Sequence, residues 1–179
     1  MKWNEPISFC LLAVLMGAFA FTGCREEVKE LRWYNPLEMD EAFALSNKHL
    51  NLLEEEQIRD FIHRFGWNMQ ETGSGLRYKI LEEGEGPEAS YGQGVLLDYE
   101  IYLLTGDPVY SSAEKGPMEF IVGRGGVESG LEEGILRLNK GSRAYFIMPH
   151  HLAHGLPGDG NRIPRRATIV YHVHLLEIY

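Results

Sequence analysis

Cysteine is nearly absent from this chain of 179 residues: there are two, Cys10 and Cys24. That leaves no disulfide framework for the fold to rest on. Basic side chains are also scarce, 17 Lys and Arg against 26 Asp and Glu, and the formal charge is −9. A phosphate backbone is repelled by that balance and no basic stripe interleaved with aromatics offsets it, so nucleic acid is excluded as a partner class. Long apolar runs are missing save one. Residues 7–21, ISFCLLAVLMGAFAF, carry no charge, but the run is shorter than the ~20 residues a spanning helix needs. Neither glycine-rich stretch, 123–126 or 155–160, leads into the Gly-Lys-Ser/Thr of a phosphate loop. Ser111 and Ser112 lack a nucleophile elbow. What remains is an ordinary globular composition, 44% hydrophobic and 24% charged, with no cofactor motif.

The one apolar run follows Lys2 and has the length of a signal-peptide core. It ends in Phe21-Thr22-Gly23-Cys24. Small residues directly before a cysteine resemble a lipobox, the signal at which a bacterial thiol is acylated and becomes the mature N-terminus. Residues 1–23 are therefore expected to leave as a lipoprotein signal peptide, taking Cys10 with them. Acylation then accounts for Cys24, a mature thiol without a partner. The expected location is the bacterial envelope, lipid-anchored, at the outer membrane and facing the periplasm.

Residues 24–71 read as a charged tether, Arg25 to Glu30, followed by a helical arm. Ile58, Phe61, Ile62 and Phe65 fall at i, i+3, i+4 and i+7 and form one apolar stripe. Gly66 stands where a left-handed cap is wanted. The arm is either a spacer that lifts the next domain off the membrane or a surface for a second copy or an envelope partner.

From Thr72 the period changes to two. Leu76, Tyr78 and Ile80 share a face; so do Val95, Leu97, Tyr99, Ile101 and Leu103; so do Ala144, Phe146 and Met148; so do Ile169, Tyr171, Val173 and Leu175. One short helix interrupts these strands, marked by Val127, Leu131, Ile135 and Leu138. Antiparallel strands with one apolar face each must close over something, and that helix is the filler. The expected fold is α+β, an antiparallel half-barrel sheet wrapped around one short helix at 72–179, preceded by an N-terminal helical arm.

Four signatures occur in order over this region: Leu97-Asp98-Tyr99 with Tyr110-Ser111-Ser112; Phe120-Ile121-Val122-Gly123; residues 127–134, VESGLEEG; and Ile163-Pro164 with residues 167–171, ATIVY. Together they resemble the FKBP-type peptidyl-prolyl cis-trans isomerases. The lipobox, the acidic arm and residues 152–159 further resemble the gliding-motility-associated isomerase lipoproteins of that family. The resemblance implies an enzyme without cofactor or metal that acts on proline-containing polypeptides. It implies a pocket with Tyr99, Phe120 and Tyr171 as walls, Val127 and the Glu128 N–H as its lip, Leu131 as its floor and Ile163 on its flap.

The chain also departs from the family. Val109 and Tyr110 replace an aromatic followed by aspartate, Met118 replaces an aromatic, His154 stands for the flap tyrosine and Arg162 for an apolar flap residue. Those changes define the alternative, a catalytically weak or inactive binding module in an envelope complex. The five histidines His150, His151, His154, His172 and His174 do not read as a metal site, because no cysteine or carboxylate joins them at ligand spacing.

Overall fold

The computed structural model describes the backbone from Pro36 and the side chains from Met39 to Tyr179. The expected signal segment, Cys24 and the expected tether lie outside the described residues. The side-chain geometry below lies within 42–179.

Helix α1, Pro36–Arg64, is continuous over 29 residues. It stops where the sequence says it should. Gly66 has φ +59, its N–H donates to the His63 carbonyl at 3.1 Å, and the Trp67 N–H reaches the Ile62 carbonyl at 3.0 Å. That double return closes the last turn and uses the positive φ that glycine adopts freely. Ile58 and Phe61 are buried, whereas Phe65 at the end of the same stripe is 51% exposed. No helix among the described residues is long and apolar enough to cross a membrane.

The remaining elements are β1 (Gln70–Glu71), β2 (Arg77–Glu82), β3 (Gly94–Leu103), β4 (Pro108–Ser111), a single turn α2 (Ser112–Lys115), β5 (Met118–Ile121), α3 (Ser129–Ile135), β6 (Arg143–Met148), a 3-10 turn (His150–Leu152) and β7 (Ile169–Ile178). They form one antiparallel sheet in the order β1-β2-β6-β7-β3-β4, with β5 also paired to β3. Strands β3 and β7, of 10 residues each, run side by side from Val95↔Ile178 to Leu103↔Ile169. This is the expected half-barrel, and its helical turns number two more than the single helix expected.

The concave face carries Leu97, Tyr99, Ile101, Phe146, Met148, Tyr171, Val173 and Leu175, and α3 fills it with Leu131 and Ile135. The approach is close because α3 presents glycines to the sheet. A Cβ on Gly134 would lie 2.7 Å from the Phe146 ring, and one on Gly130 would lie 2.9 Å from Met148. Contacts that short force a neighbour to move.

The convex face is where the expectation of a separate arm falls short. Alternation puts Ile147 and Val170 on the outside of the sheet, yet they are 0% and 2% exposed. Ile58 and Phe61 of α1 cover them in a second small core. Trp67 stacks on Tyr145 at 4.4 Å, and the Tyr145 ring lies 4.8 Å from that of His172. Arg77, an outward residue of β2, is buried and bonds Glu55 of α1 at 2.5 Å and Glu71 at 3.1 Å. Glu54 of α1 binds the root of the loop that follows β6. Its carboxylate accepts from the His150 N–H at 2.7 Å and the Thr168 hydroxyl at 2.6 Å, and it lies 2.6 Å from His150 Nδ1. The second half of α1 is part of the domain's outer layer.

Candidate functional site

At one end of the half-barrel the concave face opens into a cavity of about 210 Å³, lined by Tyr99, Ile101, Tyr110, Lys115, Met118, Glu128, His154, Asp159 and Tyr171. The volume lies below the ~300–1,000 Å³ of drug-sized sites and suits a single ring with its flanking amide. Tyr99 and Ile101 come from β3 and Tyr171 from β7, two strands whose long pairing fixes the distance between the walls. The Tyr99 and Tyr171 ring centroids are 6.2 Å apart.

Glu128 sits at the residue before α3. Its backbone is extended, with φ −62 and ψ 139, and its carbonyl receives the first helical bonds, from Leu131 N–H at 2.9 Å and Glu132 N–H at 3.1 Å. The Glu128 N–H itself has no acceptor among the described residues. Its side chain turns into the cavity, where the Tyr171 hydroxyl donates to Oε2 at 3.0 Å and His154 Nε2 lies 2.9 Å from Oε1.

Asp159, on the loop between the 3-10 turn and β7, also lines the cavity. It accepts from the Asn161 and Ile163 N–H groups, each at 2.8 Å, and from the Tyr110 hydroxyl. Lys115 Nζ lies 3.5 Å from the centre of the Tyr110 ring, and the Arg162 guanidinium is 5.3 Å from it.

These contacts set the electrostatics. Burial alone would raise the Asp159 carboxyl, but the Tyr110 hydroxyl and the backbone N–H groups outweigh it and hold it at about 2. The hydrogen bond to Asp159, then burial, pushes the Tyr110 phenol up. Burial, and after it the charge on Glu128, raises the phenols of Tyr99 and Tyr171. Both phenols remain protonated donors at neutral pH.

A cavity walled in part by three tyrosines, an unpaired Glu128 N–H beside it and a half-barrel wrapped on a short helix coincide with a sequence match. Residues 86–176, 91 of the 179, match the family model of the FKBP-type peptidyl-prolyl cis-trans isomerases. The chain belongs to that family. It is 34% identical over 145 residues to a probable FKBP-type peptidyl-prolyl cis-trans isomerase, FkpA, of Neisseria meningitidis serogroup B, which covers 79% of this chain and 50% of that protein. It is 32% identical over 106 residues to an FK506-binding protein of the same organism, covering 59% of this chain and 97% of that one. The crystal structure of AtFKBP13 matches 63% of this chain and 100% of its own, with a TM-score of 0.61 at 27% identity. The chain thus spans nearly all of a short relative and half of a longer one.

Of the pocket residues that the FKBP resemblance names, Tyr99, Tyr110, Glu128, His154 and Tyr171 line the cavity. Val109, Phe120, Leu131 and Ile163 do not; they are 4%, 8%, 0% and 2% exposed and belong to the core beneath it. Val127 packs against that core, half-buried. The ring of apolar side chains expected from Phe120, Leu131 and Ile163 is therefore replaced by a mixed wall. Ile101 and Met118 supply its aliphatic part, and Lys115 and Asp159 join its rim. Ile101 was legible, two residues along β3 from Tyr99 on one face. Lys115 and Asp159 were not, because loops and single turns carry no period. The aspartate missing before Ser111 is answered by one from the flap, bonded to the tyrosine that took its place.

Two other features can be placed. The Gly123 and Gly125 N–H groups donate to Glu132 at 3.1 and 2.9 Å, so the first glycine-rich turn is occupied by the chain's own carboxylate. On the convex face Asp98 stands opposite His174 and Glu100 opposite His172 across β3 and β7. Spacing along one strand hides these carboxylate partners. Among the described residues no three His, Cys, Asp or Glu side chains are arranged to hold a metal ion.

Proposed function

We propose that this chain isomerises X-Pro bonds of exported polypeptides by taking the amide out of water and twisting it in the cavity below the flap. Rotation about a peptide bond costs ~18–20 kcal/mol because the planar amide is resonance-stabilised. The planar form carries the larger charge separation, so an aromatic cleft destabilises it more than the twisted form, and no nucleophile is required. Proline is the residue concerned because its cis form lies only ~0.5–1 kcal/mol above trans. Its ring fills the slot between Tyr99, Tyr171, Ile101 and Met118. The observation that carries the reading is the Glu128 N–H, free on the cavity's lip, where it donates to a substrate carbonyl whatever the side chain. A protease-coupled assay on a prolyl tetrapeptide is expected to give a rate above that of the peptide alone; equality of the two rates overturns the reading.

A second reading, a client-binding module with weak turnover, is favoured by one observation. The Glu128 and His154 side chains hold each other at 2.9 Å, so the imidazole is engaged where the family has a phenol.

The placement in the envelope belongs to the same proposal and rests on residues 7–24. So does a link to gliding motility, which rests on the sequence resemblance alone. The first half of α1 supports a role in pairing with a second copy or an envelope partner, since Phe43 and Leu45 are 58% and 68% exposed. Palmitate labelling that disappears in Cys24→Ser, and cross-linking between copies through a cysteine placed at Phe43, are the expected results. A chain that takes no label, or stays monomeric, contradicts the corresponding role.

A further inference from the structure

Resting on the isomerase reading of this cavity, we propose that it selects prolyl bonds preceded by a cationic residue, lysine or arginine, through the carboxylates of Glu128 and Asp159.

Both carboxylates line the same cavity, Glu128 from the start of α3 and Asp159 from the loop before β7. Neither has a Lys or Arg within salt-bridge distance among the described residues; the one partner able to carry a positive charge is His154, beside Glu128. Their other partners are neutral donors, the Tyr171 hydroxyl for Glu128 and the Tyr110 hydroxyl with two backbone N–H groups for Asp159. Such donors fix the direction of a carboxylate without cancelling its charge. Each carboxylate also keeps room for another donor, since its oxygens offer about four lone-pair sites. The Glu128 side chain is 11% exposed, so the charge it presents is little screened by water.

Neither nearby cation is paired with these two carboxylates. Arg162 donates to the Val109 carbonyl at 2.6 Å and to Glu114 at 3.0 Å. Lys115 reaches the cavity rim but lies on the face of the Tyr110 ring. Burial first, and then the negative charge of Glu128, raises the phenols of Tyr99 and Tyr171 beside it. An ammonium or guanidinium on the residue before proline therefore meets two acceptors, a leucine side chain meets none, and a carboxylate is repelled.

The test is kcat/KM on Ala-Xaa-Pro-Phe anilides with Xaa lysine, leucine or glutamate. Lysine is expected to exceed glutamate by about tenfold or more at low salt, and the ratio to shrink at ~1 M salt, where charges are screened beyond ~3 Å. Glu128→Gln with Asp159→Asn is expected to bring the ratio close to one, with folding checked by circular dichroism. Equal rates for the lysine and glutamate peptides, or a ratio unmoved in the double variant, overturn the proposal. If no peptide is turned over faster than in buffer, the isomerase reading falls. Calorimetric affinities for the same peptides then decide charge selection separately: tighter lysine binding supports it, and equal binding overturns it.

Discussion

Glu54→Ala is expected to lower the stability of the protein by about 2–4 kcal/mol, read as a fall in the urea midpoint, because a buried donor left without its partner costs ~1–3 kcal/mol. The change strands three groups at once: the His150 N–H, the His150 imidazole and the Thr168 hydroxyl. Glu54 and His150 side chains are only 11% and 9% exposed, so water does not replace the lost acceptor well. A value within ±0.5 kcal/mol, as for a surface substitution, contradicts the view that α1 is built into the domain.

The same carboxylate makes stability depend on pH. Burial acts to raise the Glu54 carboxyl, but the Thr168 hydroxyl, the His150 N–H and the His150 ring together bring it below its usual value. A group whose folded pKa is depressed adds stability above its unfolded value of ~4.3 and loses it as pH falls through the folded value. Wild-type stability should therefore decline on the acid side of that point, and Glu54→Gln should flatten this part of the decline. The substitution also reaches the active end. His150 accepts from the Ala153 N–H at 3.1 Å and the Gly155 N–H at 2.7 Å, so the turn that Glu54 anchors holds His154 between those two residues.

Asp159→Ala is expected to cut kcat/KM by about tenfold to a hundredfold, equivalent to ~1.4–2.8 kcal/mol of transition-state stabilisation. Its carboxylate organises the flap through the Asn161 and Ile163 N–H groups and fixes Tyr110 on the cavity wall. Tyr110→Phe removes only one of those bonds and should have the smaller effect. If the order is reversed, the flap aspartate is not what holds this wall. Putting the family's aromatic back at Val109 is not expected to help. Val109 is 4% exposed and packed in the core, where a larger side chain strains its neighbours.

How far the sequence could be read differs from element to element. Alternation named the inward residues of β3, β6 and β7 correctly, because a strand of fixed pleat sends every second side chain to one face. The end of α1 was legible in Gly66 for a similarly local reason. The same alternation puts Ile147, Val170 and Arg77 on the outer face and is silent on their burial, since it says which side a residue takes and not what lies on that side. The family motifs led to five residues of the cavity wall, and four others they named turned out to lie beneath it.

The sequence by itself determined the strand periods, the helix stop and the family, all of which depend on residues near one another in the chain or on motifs in order. Only the tertiary structure decided that α1 covers the sheet and that a flap carboxylate meets Tyr110. It also decided that Glu128 shares its carboxylate between Tyr171 and His154. Those pairings join residues 26 to 114 positions apart, and at such separations no local period records who will meet whom; packing selects the partners.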